Sequence, residues 1–191
     1  EMTQKAASYA ESWFAGRVKK GRLTQEESAA AQDRLVFTND LPLAAEEADL
    51  VVEAVPDVAE IKRAVLAHVD QYVPERAFYS SNSSYLVSSV FAGAVRHPER
   101  VANLHFFNPA LVMELVEVVR GPHTSQETVD VLMEFARSIR KTPILVKKEI
   151  YGFVVNRIFS AITKEACYLY DQGVAGLEDI DLAVKKGLGH P

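Results

Sequence analysis

The stretch 49-DLVVEAVPDVAEIKRAVLAHVDQYVPERAFYSS-81 decides how this chain folds. DLVVEAV (49–55) is apolar almost without a break, the pattern of a strand buried on both faces. Asp57 and Glu60 in DVAE open a helix that runs to about Tyr72, with Pro74 just beyond it. AFYSS (77–81) is then a second strand. Short buried strands alternating with helices predict an α/β fold, a parallel sheet covered on both faces.

Upstream, residues 2–20 have the pattern of an amphipathic helix with basic residues at its end and Gly21 as its stop. Thr24 and Glu27 in TQEE form a capping box for an alanine-rich helix reaching about Arg34, and LVFT (35–38) is a short strand candidate. Downstream, SSVFAGAV (88–95) suggests a helix, followed by strands VANLHFF (101–107) and LVEVV (115–119). A helix over about 125–139 and the strand PILV (143–146) complete this part. LVEVV follows VANLHFF with no helix between them, so this region departs from simple βαβ winding. After Val146 the strand signal stops. FVVNRIFSAITKEACYLYDQG (153–173) and LEDIDLAVKKG (177–187) read as helices, which puts a boundary at 147–150.

At 191 residues and 48% hydrophobic content, the chain has material for one domain and part of a second. A net charge of −5 offers no electrostatic footprint for nucleic acid. No apolar run approaches the roughly 20 residues that span a bilayer, so no membrane partner is expected. The first residues do not form a signal peptide. The single cysteine, Cys167, has no internal partner and is expected to be a buried thiol in a reducing, cytoplasmic setting. The histidines at 68, 97, 123 and 190 lack metal-ligand spacing, and no CxxC or HExxH occurs, so no metal is expected. The start at Glu1 and the stop at GLGHP lead to the expectation that both ends are cut.

The chemistry concentrates in 105-HFFNPALVMELVE-117. His105 closes one hydrophobic run, Asn108-Pro109 turns the chain, and Glu117 lies in the next run. The pair is either a structural core contact or a base with its orienting acid, and spacing alone leaves both open.

SNSS (81–84), HFFNP (105–109) with Glu117, and YGFVVNR (151–157) occur in an order and spacing that resemble the L-3-hydroxyacyl-CoA dehydrogenases, of the 3-hydroxybutyryl-CoA type. ADLVVEAVPDVAEIK (48–62) and DIDLAVKKGLGHP (179–191) match the same pattern, so the resemblance covers essentially the whole chain and is weakest in 1–40. It implies a Rossmann-type NAD domain, expected over 1–148, and the beginning of a helical substrate and dimerisation domain over 149–191. It also implies a first strand, a GxGxxG loop and a helix, and none of the nine glycines here forms that motif. The expected sheet is therefore incomplete, leaving DLVVEAV with an unpaired buried edge, at on the order of 1–3 kcal/mol per unsatisfied backbone group. The chain is expected to be a segment of a longer polypeptide, or to receive the strand from a partner segment.

By the same resemblance, His105 is the general acid/base at the C3 hydroxyl of a 3-hydroxyacyl-CoA, and Glu117 fixes its tautomer. Ser84 binds the C3 oxygen and borders the cofactor, and Asn156 orients polar groups in the cleft. Asp57, Lys62 and Asn82 approach NAD. The plain alternatives are a turn-forming serine run, an ordinary helix surface for Asn156, a helix N-cap for Asp57 and a solvated helix lysine for Lys62. Tyr85 replaces a small serine common in the family. Relatives that oxidise gulonate or carnitine, or a non-catalytic assembly module, are the competing functions. A homodimer formed through the helical domain is the expected assembly.

Overall fold

The structure is a computed structural model describing residues 1–189; His190 and Pro191, which end the GLGHP motif, lie outside the described residues. Two helices open the chain, α1 (Met2–Lys19) and α2 (Gln25–Gln32). Gly21 turns between them at φ +63°, a left-handed conformation that costs a glycine little. The capping box of α2 is complete: Glu27 N donates to Thr24 Oγ1 (3.1 Å) and Thr24 N to Glu27 Oε2 (2.8 Å).

LVFT is not a strand. Val36 is 75% exposed, and no strand runs beside the segment among the described residues, so its β-branched character has no ladder to join. A short helix, α3 (Leu41–Ala45), absent from the pattern expected of the sequence, follows it, capped by the Asp40 carboxylate accepting from Leu43 N.

The sheet begins at β1 (Leu50–Glu53) and continues through α4 (Ala59–Val69) into β2 (Phe78–Ser81), which pairs parallel to β1. Next come β3 (Val101–Phe106), β4 (Leu115–Val119), α5 (Gln126–Ser138) and β5 (Thr142–Val146). The strands lie side by side in chain order, all neighbours parallel except the β3–β4 pair. β1 is an edge strand, and Val52 on it is 42% exposed, so the expectation of burial on both faces fails there. Its outer edge has no partner among the described residues, and apolar sequence alone cannot supply one.

The segment 88–95 forms two 3-10 turns, Ser88–Val90 and Ala92–Ala94, in place of a helix. Gly93 within it is a poor helix former, and Phe91, Ala92 and Val95 drop into the core. One face of the sheet packs Ala102, Leu104, Val116 and Val118 under Leu132 and Ala136 of α5. The opposite face packs Tyr79 and Val101 against Leu66 and Val69 of α4 and against Phe91.

After β5 the chain is helical, with α6 (Val155–Asp171) and α7 (Leu177–Gly187). Neither helix buries a residue. Cys167 on α6 is exposed, contrary to the buried thiol expected, because no described element covers that part of the helix.

Candidate active site

His105 and Glu117 face each other directly across the antiparallel β3–β4 pair. Direct cross-strand partners share one face of a sheet, so this register aims both side chains the same way. The connection between the strands runs from Phe107 to Glu114, longer than the tight turn expected. His105 is 3% exposed and Glu117 fully buried. His105 Nδ1 lies 2.8 Å from Glu117 Oε2. A carboxylate only accepts, so Nδ1 carries the proton and Nε2 of the neutral ring is an acceptor. Ser84 Oγ stands 3.2 Å from Nε2. The rings of Phe107 and Phe153, with centroids 4.6 and 5.4 Å from that of the imidazole, help wall it from water.

The second oxygen of Glu117 accepts from Val154 N and Val155 N, both at 3.0 Å, at the first turn of α6. A helix start leaves N–H groups without partners and carries a partial positive charge, and α6 has no side-chain cap of its own. One carboxylate therefore serves the imidazole and the helix together. Burial alone would raise the Glu117 pKa, but the hydrogen bonds from His105, Val155 and Val154 outweigh it and hold the carboxyl below its ordinary value. Gly152 (φ +75°) and Phe153 (φ +49°) turn the chain into α6 in left-handed conformations; for Phe153 this is strained and is held by near-complete burial.

Asn156 Nδ2 donates to the carbonyl of Ser84 at 2.9 Å, and Gly152 N donates to that of Tyr85. Asn156 thus fastens the serine loop to α6 and is not an ordinary helix surface. An open pocket of about 590 Å³ lies beside this junction, lined by Ser84, Tyr85, Tyr151, Gly152, Asn156 and Lys164 among others. Tyr85 packs against Tyr151 at its side, ring centroids 5.3 Å apart.

The expected cofactor residues gather at the carboxyl ends of β1 and β2. Asn82 Oδ1 accepts from Phe106 N (2.9 Å). Asp57 is not the N-cap of α4, since that position is Val58 with no side-chain cap; its carboxylate accepts from Ser83 Oγ at 2.5 Å. Lys62 is neither solvated nor presented at the surface: it is 1% exposed. Its ammonium donates to both oxygens of Glu53 (2.8 and 3.0 Å) and to the Val55 carbonyl, with Asp57 at 3.5 Å. Glu53, which no sequence motif singles out, is the centre of this group and also accepts from Ser81 Oγ (2.6 Å) and Val55 N (2.6 Å). The available signal was a lone carboxylate ending an apolar strand, since such a group needs partners when buried.

Residues 1–150 match the sequence pattern of the NAD-binding domain of 3-hydroxyacyl-CoA dehydrogenase, and residues 152–191 that of its C-terminal domain. This chain belongs to the 3-hydroxyacyl-CoA dehydrogenase family. It is 36% identical over 178 residues to the human mitochondrial hydroxyacyl-coenzyme A dehydrogenase, covering 93% of this chain and 55% of that protein. Over 160 residues it is 39% identical to the L-carnitine dehydrogenase of Bacillus cereus, covering 84% of this chain and 49% of the relative. The crystal structure of (S)-3-hydroxybutyryl-CoA dehydrogenase from Ralstonia eutropha superposes with a TM-score of 0.93 at 32% identity, over 99% of this chain and 66% of that one. The chain spans about half the length of the curated relatives it matches.

The cofactor of this family is NAD. Asp57, Asn82 and Ser84 bring polar groups to the carboxyl ends of the parallel strands, where open α/β sheets take their ligands. A glycine turn that could cradle the NAD phosphates is not among the described residues.

Proposed function

We propose that the protein to which this chain belongs catalyses the reversible NAD-dependent oxidation of short-chain L-3-hydroxyacyl-CoA thioesters to 3-ketoacyl-CoA, with His105 as the general acid/base. The observation that carries this reading is the relay Glu117–His105–Ser84, a walled-in imidazole whose Nε2 meets a hydroxyl at the edge of an open pocket. NAD, when bound, supplies the hydride acceptor or donor, so the protein's own task is to position the substrate and manage one proton.

In oxidation His105 Nε2 takes the proton of the C3 hydroxyl, and the buried carboxylate of Glu117 stabilises the imidazolium that forms. In reduction the same nitrogen returns it. Ser84 binds the C3 oxygen beside Nε2, and Asn156 holds Ser84 through its carbonyl. Asp57 and Asn82 border the cofactor. Lys62 contributes from beneath, its ammonium offsetting the charges of Glu53 and Asp57. Dimerisation through α6 and α7 and a cytoplasmic setting belong to the same proposal.

The Bacillus cereus relative favours a second reading, oxidation of a 3-hydroxy acid that carries no CoA. Initial rates with NAD and 3-hydroxybutyryl-CoA, L-carnitine or L-gulonate separate the two. Turnover of the thioester alone is the expected result; preference for either free acid would replace the substrate. Saturable NADH binding is also expected, and its absence would favour a non-catalytic assembly module.

A further inference from the structure

Asn103 is fully buried on β3, two residues before His105 and so on the same face of the sheet. Its direct neighbours across the ladders are Ser81 on β2 and Val119 on β4. Its Nδ2 donates to the Leu86 carbonyl at 3.0 Å. Its Oδ1 is buried and meets no protein donor among the described residues. A buried acceptor without a donor is unfavourable, so fold stability alone gives little reason for an amide at this point. What the amide does is reach the loop that carries Ser84.

That loop, 82–86, is fastened to β3 at both of its ends. At the start Asn82 Oδ1 accepts from Phe106 N, and at the end Leu86 O accepts from Asn103. Between them Ser83 Oγ accepts from Tyr85 N (3.2 Å) and Leu86 N (2.7 Å), which folds the loop into one compact turn. Ser84 sits in the middle of this clamp, exposed, with Oγ directed at His105 Nε2. The two β3 groups that hold the loop, the Asn103 side-chain amide and the Phe106 N–H, flank His105 on its own strand, so imidazole and hydroxyl share one frame.

We propose that Asn103 is a positioning residue: by holding Leu86 it sets where Ser84 Oγ meets His105 Nε2. The inference deepens the acid–base reading of the site and rests on it for its catalytic meaning. It predicts coupling between residues 103 and 84 that a core polar residue serving only the fold would not have.

The test uses Asn103→Leu, Ser84→Ala and the double variant in this chain, with Asn103→Ala as the second substitution should the leucine not be accommodated. The 15N resonance of His105 Nε2 is recorded for the neutral ring, together with amide exchange and the thermal midpoint. The expected result is that Nε2 moves in the same direction in both single variants. The double variant moves it no further than Ser84→Ala alone. Amide exchange over residues 84–86 rises about tenfold while β3 keeps its protection. An unmoved Nε2 in the residue-103 variant, shifts that sum in the double variant, or exchange rising uniformly across the sheet would each overturn the inference. A resonance insensitive to Ser84→Ala overturns it too, and leaves His105 free to be the acid/base. Turnover that survives loss of His105, with the coupling intact, would instead remove the catalytic reading and keep Asn103 as the holder of the loop.

Discussion

At the scale of single residues, Glu117 has two tasks, orienting His105 and closing the start of α6, and one substitution separates charge from shape. Glu117→Gln keeps an acceptor for Nδ1–H but removes the charge that stabilises an imidazolium. Steady-state kinetics of the variant are expected to show kcat lower by about a hundredfold, with KM little changed. The same carboxylate gives stability a pH dependence whose sign is fixed. Its folded pKa lies below the ordinary value, so the stability it contributes is complete above about pH 4.5 and is lost as pH falls through the lower, folded pKa. Thermal midpoints measured from about pH 6 down to about pH 3 should fall more steeply in the parent than in Glu117→Gln.

At the scale of elements, the sheet stands partly on a buried ion pair. Lys62 and Glu53 join α4 to the end of β1 out of contact with water. Lys62→Met would leave the Glu53 carboxylate buried without its partner, a loss of about 3–5 kcal/mol read in urea denaturation. Replacing Glu53 by Gln as well should recover much of it. What could be read in the sequence was local or periodic. The Thr24–Glu27 box spans three residues, and the departure from βαβ winding at 101–119 follows from the lack of a helix between two apolar runs. Elsewhere the outcome depended on partners distant in the chain. LVFT has strand composition but no neighbour to pair with, and DLVVEAV, apolar enough to be buried on both faces, exposes Val52 at the unpaired edge of the sheet. In the site, family motifs pointed to His105, Glu117, Ser84 and Asn156, which the fold brings together. Lys62 and Asp57 were placed by motif alone, and burial turned the lysine inward. Its partnership with Glu53 spans nine residues and depends on how α4 packs, which no short pattern encodes.

At the scale of the whole molecule, the described residues comprise an α/β part followed by the helices α6 and α7, which like α1 contain no buried residue. Ile158, Leu177 and Leu182 are each more than half exposed along those helices. We propose a dimer through α6 and α7, and sedimentation at increasing concentration should show it. Ile158→Glu together with Leu182→Glu should shift that equilibrium towards monomer without altering the β-sheet signal. Among the described residues no helix is long and apolar enough to cross a membrane. His105 is proposed to move the proton of the C3 hydroxyl while the hydride of C3 goes to NAD. The direct measurement is oxidation of NADH driven by acetoacetyl-CoA, with the parent and His105→Gln side by side. Turnover is expected in the parent, with a fall of about 10²–10⁴-fold in the variant. Equal turnover in both would contradict it.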